Sequence, residues 1–390
     1  LSIPRWMART AATPAQQRML DETAEVMATA GAVVPPSWMP LKVGDQVLMR
    51  STERLYGLDF RTGKLVWQYP WFDSVSDAES TDQEAMLMEE ENGQALLKQR
   101  VWNDVPYGRV TSDGKRVFLL ADLSEVEVMP FNALMGFQGT RPTGSGSNSL
   151  VALDLETEGK LRWRIGGNAD SEDGWGEVFF LGPPLPIDDA LYVMAEVSGD
   201  IILICLDAAT GLQRWRQQLL AVESGRVNID PIRRIAGATP SYHEGLLICS
   251  TGAGAIVAVD LADQSLVWSL LIDRNDALNQ NMLSRGNGFS ADQLLQRWWD
   301  GTPRIVGDTI FITPIESDRL FAIDLMTGEK RWKEIARTQF GSRYLAGVRD
   351  DKMILVGGDH IRAAQATSSE RVWETPAGWL DAGEQIVEGA

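Results

Sequence analysis

Two cysteines and two histidines in 390 residues leave this chain short of the side chains that most often mark an active site. Cys205 and Cys249 each lie inside an apolar run, which reads as a small buried hydrophobe rather than a nucleophile. A disulfide between them is not determined by sequence, so the cysteines leave the redox compartment open. His243 and His360 stand more than a hundred residues apart, and neither has Cys, His or carboxylate neighbours at zinc-site spacing. There is no Gly-x-Ser-x-Gly elbow and no Gly-Lys-Ser/Thr phosphate loop. No apolar run approaches the roughly 18 residues of a membrane span, so an integral helical membrane protein is not expected. Basic residues are outnumbered 36 to 54, a formal charge of −18, and such a balance lacks the clustered Lys and Arg that release counterions from nucleic acid. No catalytic, cofactor-binding or metal-ligating residue is assigned on these grounds, and nucleic acid is not expected as a partner.

What the chain does have is a repeat. An apolar run ends in a small residue, one further residue and usually Asp, followed by a turn and a Trp: Gly57-Leu58-Asp59 with Trp67, Ala152-Leu153-Asp154 with Trp163, Cys205-Leu206-Asp207 with Trp215, Ala258-Val259-Asp260 with Trp268, Ala322-Ile323-Asp324 with Trp332, and a decayed Ala363-Ala364-Gln365 with Trp373. Thr62-Gly63, Thr210-Gly211 and Thr327-Gly328 fall midway. There Gly accepts positive φ, and Asp and Thr side chains can bond the turn backbone, so each copy predicts a β-hairpin. Another strand pair precedes each hairpin, for example Val43 to Met49 and Pro240 to Cys249. About four strands per repeat is the content of a propeller blade. Successive Trp residues are 96, 52, 53, 64 and 41 positions apart, so the long first interval carries insertions. A stacked array also explains how 390 residues can be one unit, since its core is distributed between repeats.

The pattern Ala-x-Asp-x-x-Thr-Gly-x-x-x-Trp of Ala322 to Trp332 resembles the tryptophan-docking repeat of the quinoprotein-like, or PQQ-like, eight-bladed β-propellers. That superfamily includes quinoprotein alcohol dehydrogenases and the BamB-like outer-membrane assembly lipoproteins. The resemblance spans roughly residues 36–376 and implies an all-β propeller of four-stranded antiparallel blades. It also implies that Trp67, Trp163, Trp215, Trp268, Trp332 and Trp373 pack between blades against the small residue of each motif. An extracytoplasmic, periplasmic location is implied by the resemblance alone. Quinoprotein dehydrogenases of this fold pair the quinone with calcium ligands, a catalytic Asp and a vicinal Cys-Cys ring. This chain has no adjacent cysteines and no Cys-x-x-Cys-His haem motif, so no quinone or other cofactor is expected.

Residues 1–35 are expected to form a short strand and a decorating helix. Thr13-Pro14, helix formers over Ala15 to Ala30, and Gly31 supply a cap, a first-turn Pro and a stop. Residues 36–390 are expected to form the propeller, with an acidic insertion over 73–100 whose eight carboxylates between Asp73 and Glu91 read as a solvated segment. Asp170 to Gly174 clusters oxygens without the ligand spacing of an EF-hand, and the Gly-rich stretch 131–148 reads as an inter-strand loop. Arg233, Arg234, Trp298 and Trp299 are candidates for a partner surface, because Arg and Trp are favoured at binding hot spots. Six recognisable hairpin units, a strand-like start at Leu1 to Trp6 and a lead-in over Trp379 to Ala390 suggest an incomplete ring. The missing blades would come from the rest of a longer parent or from another chain. The reading for function is a non-enzymatic scaffold or binding module for a protein or carbohydrate partner. A calcium- and quinone-dependent dehydrogenase is the alternative.

Overall fold

In each repeat two central strands read as near-continuous apolar runs because both of their faces are covered. Ala255–Asp260 shows this directly: Ala255, Val257 and Val259 join the core shared with the preceding repeat, while Ile256 and Ala258 join the core shared with the next. Period-two alternation thus feeds two cores from one strand. The computed structural model describes residues 5–8, 13–29, 38–51, 54–70, 101, 104–123, 146–167, 174–222, 227, 230–273, 297–357 and 360–376. The acidic stretch, most of the Gly-rich loop, residues 170–173 and the C-terminal lead-in fall outside them.

Six antiparallel sheets follow one another among the described residues, and the chain is a β-propeller of four-stranded blades. Blades 1 to 6 occupy residues 41–69, 111–166, 178–221, 241–271, 304–336 and 342–376. Strands A to D of each run up and down in chain order, and blade 3 carries an extra strand, Val178–Phe180, beside strand B. The A strands adjoin across blades: Thr111 Oγ1 donates to Pro184 O at 2.7 Å, and Ser241 Oγ to Pro303 O at 2.7 Å. The D strands lie outermost and are largely exposed. Helix α1, Pro14–Thr29, begins with a reciprocal cap in which Gln16 N donates to Thr13 Oγ1 and Thr13 N to Gln16 Oε1.

The repeated Trp residues join the blades. Trp163 of blade 2 lies on Gly211 of the blade 3 hairpin, and its Nε1 donates to Ala208 O at 3.1 Å. Trp268 repeats this on Gly328 and Leu325 O at 2.9 Å, and Trp332 reaches Ala366 O at 3.0 Å. Trp67 lies on Gly159 but sends its Nε1 to Gln46 of its own blade. The small motif residue is the cross-strand partner of its Trp: Gly57 faces Trp67, Ala152 Trp163, Cys205 Trp215 and Ala258 Trp268. The hairpin Gly therefore does two things, taking φ of +73° in Gly211 and clearing room for the ring of the previous blade.

Burial is less uniform than the repeat suggests. Trp67 is fully buried, and Trp163, Trp215, Trp268 and Trp332 are half-buried. Trp373 is 41% exposed, because no described residue stacks a further blade on its face. Sequence reasoning also overlooked Trp6. It lies on Gly63 of blade 1 and donates from Nε1 to Phe60 O at 2.9 Å. That is the contact Trp163 and Trp268 make with the blade after theirs, so Trp6 occupies the docking position of a blade preceding blade 1.

Candidate functional site

Up-and-down strands send their turns to two opposite ends of each blade. The A-to-B turns and the Asp-Thr-Gly hairpins share one end. The B-to-C turns and the D-to-A connections share the other, called here the connection end. All nineteen buried polar or charged residues among the described residues lie at the connection end. A charge out of water requires partners, so this concentration marks an organised platform.

Its connections are built from short capped helices. In α2, Val105–Gly108, the Asp104 carboxylate accepts from Tyr107 N at 3.0 Å. In α3, Pro231–Ala236, Asp230 accepts from Arg233 N at 3.1 Å. In both, Pro stands at the helix start, where its missing N–H costs nothing. Tyr107 then donates from its hydroxyl to Ser51 O at 2.8 Å, and the Arg50 guanidinium lies 3.9 Å from its ring centroid. Gly237, just past α3, sits against Val105 of α2 and so joins the connections leading to blades 2 and 4.

The centre of the platform is Asp300. It is buried, accepts Thr302 N at 2.9 Å, and pairs with Arg109 Nη2 at 2.7 Å and Arg304 Nη2 at 3.0 Å. Burial pushes its carboxyl pKa up, but the Arg109 and Arg304 charges outweigh that and hold it below the ordinary value. Arg109 also donates to Thr302 Oγ1 at 2.8 Å and lies over the Trp299 ring at 5.6 Å. Arg109 precedes blade 2 and Asp300 precedes blade 5, so this contact links blades that are not neighbours in chain order. Trp299 continues the link to blade 6 through an edge-on contact with Tyr344, centroids 5.1 Å apart, and a 2.9 Å bond from its backbone N to Arg343 O.

The four residues expected at a partner surface are at this end, but none is on a surface. Arg233 and Arg234 are buried, and Trp298 and Trp299 are 1% and 8% exposed. Arg233 Nε meets Glu196 Oε2 at 2.9 Å as an ion pair without the alignment of a hydrogen bond, and Glu196 also accepts Val227 N at 2.7 Å. Arg234 lies over the Phe179 ring at 5.0 Å. Trp298 fills the core between blades 5 and 6. These side chains brace the connections from within, so the expectation of a contact surface formed by them is corrected.

The remaining candidates are placed plainly. Cys205 and Cys249 are buried free thiols, both pushed up by burial, Cys249 to about 12, which keeps them protonated and unreactive at neutral pH. His360 is buried with Nε2 3.1 Å from Phe340 O, whereas half-exposed His243 stands 3.9 Å from Glu244. Among the described residues no three His, Cys, Asp or Glu side chains gather as a metal set. No described helix is long and apolar enough to cross a membrane. At the hairpin end, the motif Asp residues act as turn acceptors: Asp207 takes Thr210 N and Thr210 Oγ1 at 2.9 and 2.8 Å. Arg214 bridges Asp207 and Asp189 at 2.7 Å each, and Arg331 does the same for Asp324 and Asp308. Sequence reasoning missed these arginines, although an Arg immediately before the docking Trp was a visible signal.

Comparison with known proteins supports this architecture. The family described as "Outer membrane protein assembly factor BamB" matches residues 146–291. Comparison with curated proteins gives no match. Among solved structures, BamB from Moraxella catarrhalis is similar at 18% identity and a TM-score of 0.50, over 87% of this chain and 75% of that one. A europium-containing methanol dehydrogenase is 14% identical, with coverage of 86% and 70% and a TM-score of 0.45. The quinohemoprotein alcohol dehydrogenase from Comamonas testosteroni is 13% identical, with coverage of 91% and 62% and a TM-score of 0.46. Identities this low speak to the fold alone.

Proposed function

We propose that this PQQ-like β-propeller is a non-enzymatic scaffold whose connection end holds a protein partner. The observation that carries this reading is the way the buried charges there are used: Asp300 between Arg109 and Arg304, Arg233 against Glu196, and Asp104 and Asp230 as helix caps. These groups make connections rigid; they are not poised for proton or hydride transfer. A stiffened platform presents its loops with little ordering cost on association. The partial match to an assembly-factor family supports a protein rather than a carbohydrate as the partner.

Chemical cross-linking of the protein in its native extract, followed by mapping of the linked residues, tests the proposal. Links concentrated at the connection end are expected. Stoichiometric binding of the quinone with calcium, accompanied by alcohol oxidation, would replace the scaffold reading with that of a dehydrogenase. Binding of an oligosaccharide with no protein cross-links would replace the partner class.

A second element of the proposal is that blade 6 is covered in the native assembly by a further blade, from a longer parent chain or another chain, within an eight-bladed ring. Trp6 docked on Gly63 and the exposure of Trp373 support it. Hydroxyl-radical footprinting in the native extract should find Trp373 protected. Labelling of Trp373 as fast as that of a free indole would remove this element.

A further inference from the structure

On the outer wall of blades 2 and 3, we infer a docking edge for an extended acidic segment of a partner protein, which adds as a further strand beside strand D of blade 3. The D strands of these blades, Lys160–Gly166 and Gln213–Ala221, carry Lys160, Arg162, Arg164, Arg214 and Arg216, all exposed, and no acidic residue, in a chain whose formal charge is −18. The two strands adjoin: Trp163 lies on Gly211, its Nε1 reaches Ala208 O, and Arg162 Nε donates to Ala209 O at 3.3 Å. The hairpin that receives these contacts runs straight into Gln213–Ala221. That is the longest of the D strands and, among the described residues, it pairs only with strand C. Its other edge is a row of backbone N–H and C=O groups without a partner strand.

Two of the five charges are used within the fold: Arg164 pairs with Asp122, and Arg214 with Asp189 and Asp207. The other three are not. Among the described residues Lys160 and Arg216 make no hydrogen bond or ion pair, and Arg162 has only the Ala209 carbonyl. Asp154 stands opposite Lys160 in the ladder, but its carboxylate accepts Glu156 N and Thr157 N instead. Charge on a free edge often serves only to keep other strands away. That reason is insufficient here, because the D strands of blades 1 and 4, Leu65–Tyr69 and Leu266–Leu271, present the same kind of edge and contain no charged residue. An extended acidic chain satisfies both features of the wall. Its backbone completes the ladder of strand D, and its carboxylates, about 7 Å apart at every second residue, bring acceptors to Arg216 on that strand and to Arg162 and Lys160 on the neighbouring one. A nucleic acid offers the charge without the strand pairing, and the acidic chain as a whole repels a long polyanion. The inference concerns the outer wall and does not rest on the connection-end platform.

The test is fluorescence anisotropy of the full chain with a labelled synthetic peptide of about ten residues in which Glu alternates with Val and Thr. Saturable binding that weakens as sodium chloride is raised is expected, and no binding overturns the inference. The same peptide with Gln for Glu, or with alternate backbone nitrogens methylated, should bind about tenfold more weakly or worse. Equal affinity of the Gln peptide would remove the need for charge, and equal affinity of the methylated one would remove strand addition; either result overturns the assignment. An oligodeoxynucleotide of matched charge that binds as tightly would make the wall a general polyanion surface and overturn it as well. Arg216→Glu and Arg162→Glu should each weaken the Glu peptide by about tenfold with Tm unchanged, since both side chains are exposed. Arg349→Glu makes the same charge change on exposed blade 6 surface and should leave binding as it was; an equal loss there would show an effect of net charge alone and refute the site. If Arg162→Glu lowers Tm through its Ala209 contact, Arg216→Glu carries the measurement.

Discussion

Replacing Gly211 by Ala separates the two tasks of the hairpin glycine. Its φ is +73°, and a Cβ there would stand 2.8 Å from Trp163 Cδ2 and 2.9 Å from Cε3. Gly307, in the A-to-B turn of blade 5, has φ of +58° but nothing within 4 Å of a Cβ, so Gly307→Ala reports the backbone cost alone, about 1–2 kcal/mol. Gly211→Ala should add an overpacking cost of about 1–3 kcal/mol as the indole is pushed off the hairpin, and it strains the Nε1 bond to Ala208 O. The expected total is about 2–5 kcal/mol, against about 1–2 for the control. Urea unfolding followed by tryptophan fluorescence measures both. In a cycle with Trp163→Ala, the excess cost of Gly211→Ala should vanish once the ring is gone. Equal destabilisation by the two Gly→Ala substitutions, or no coupling to Trp163, would refute docking as the reason for glycine at this position.

Trp6→Ala should destabilise by about 1–3 kcal/mol in the same assay, less than for a fully buried Trp because the ring is half-exposed; an unchanged midpoint would deny that Trp6 docks on blade 1. Asp300→Asn leaves Arg109 and Arg304 without their shared carboxylate and should cost about 3–5 kcal/mol, measurable as a fall in the urea midpoint, whereas a neutral result would mean solvent already screens the pair. Asp207 is held down to about 2, first by Arg214 and then by Thr210. Its folded pKa lies below the unfolded value, so its contribution is complete above about pH 4 and disappears as pH falls toward about 2. Asp207→Asn should therefore flatten part of the stability loss between those limits, and an acid-unfolding curve parallel to the parent's would contradict the assignment.

The blades were legible because their signals are local. The Asp-Thr-Gly turn, the Trp and the apolar runs lie within about a dozen consecutive residues, and propensity and turn chemistry act over that range. Strand pairing follows, so the hairpins of blades 1 to 4 appear with their Trp opposite the small residue. The docking acceptor was not legible, since Gly159 and Gly211 meet the Trp of the previous blade, far off in sequence. Trp6 escaped for the same reason: it has no repeat around it, and only packing on Gly63 shows its role.

The connection end was decided by tertiary structure entirely. Arg233, Arg234, Trp298 and Trp299 looked like contact residues because sequence records residue type and not depth. Folding draws the D-to-A connections across the strand ends and buries all four. Arg109 finds Asp300 almost two hundred positions away, and no periodicity encodes such a pair. The order of strands within a blade is a short-range property, written into turns and alternation. Which charges meet depends on how the blades stack.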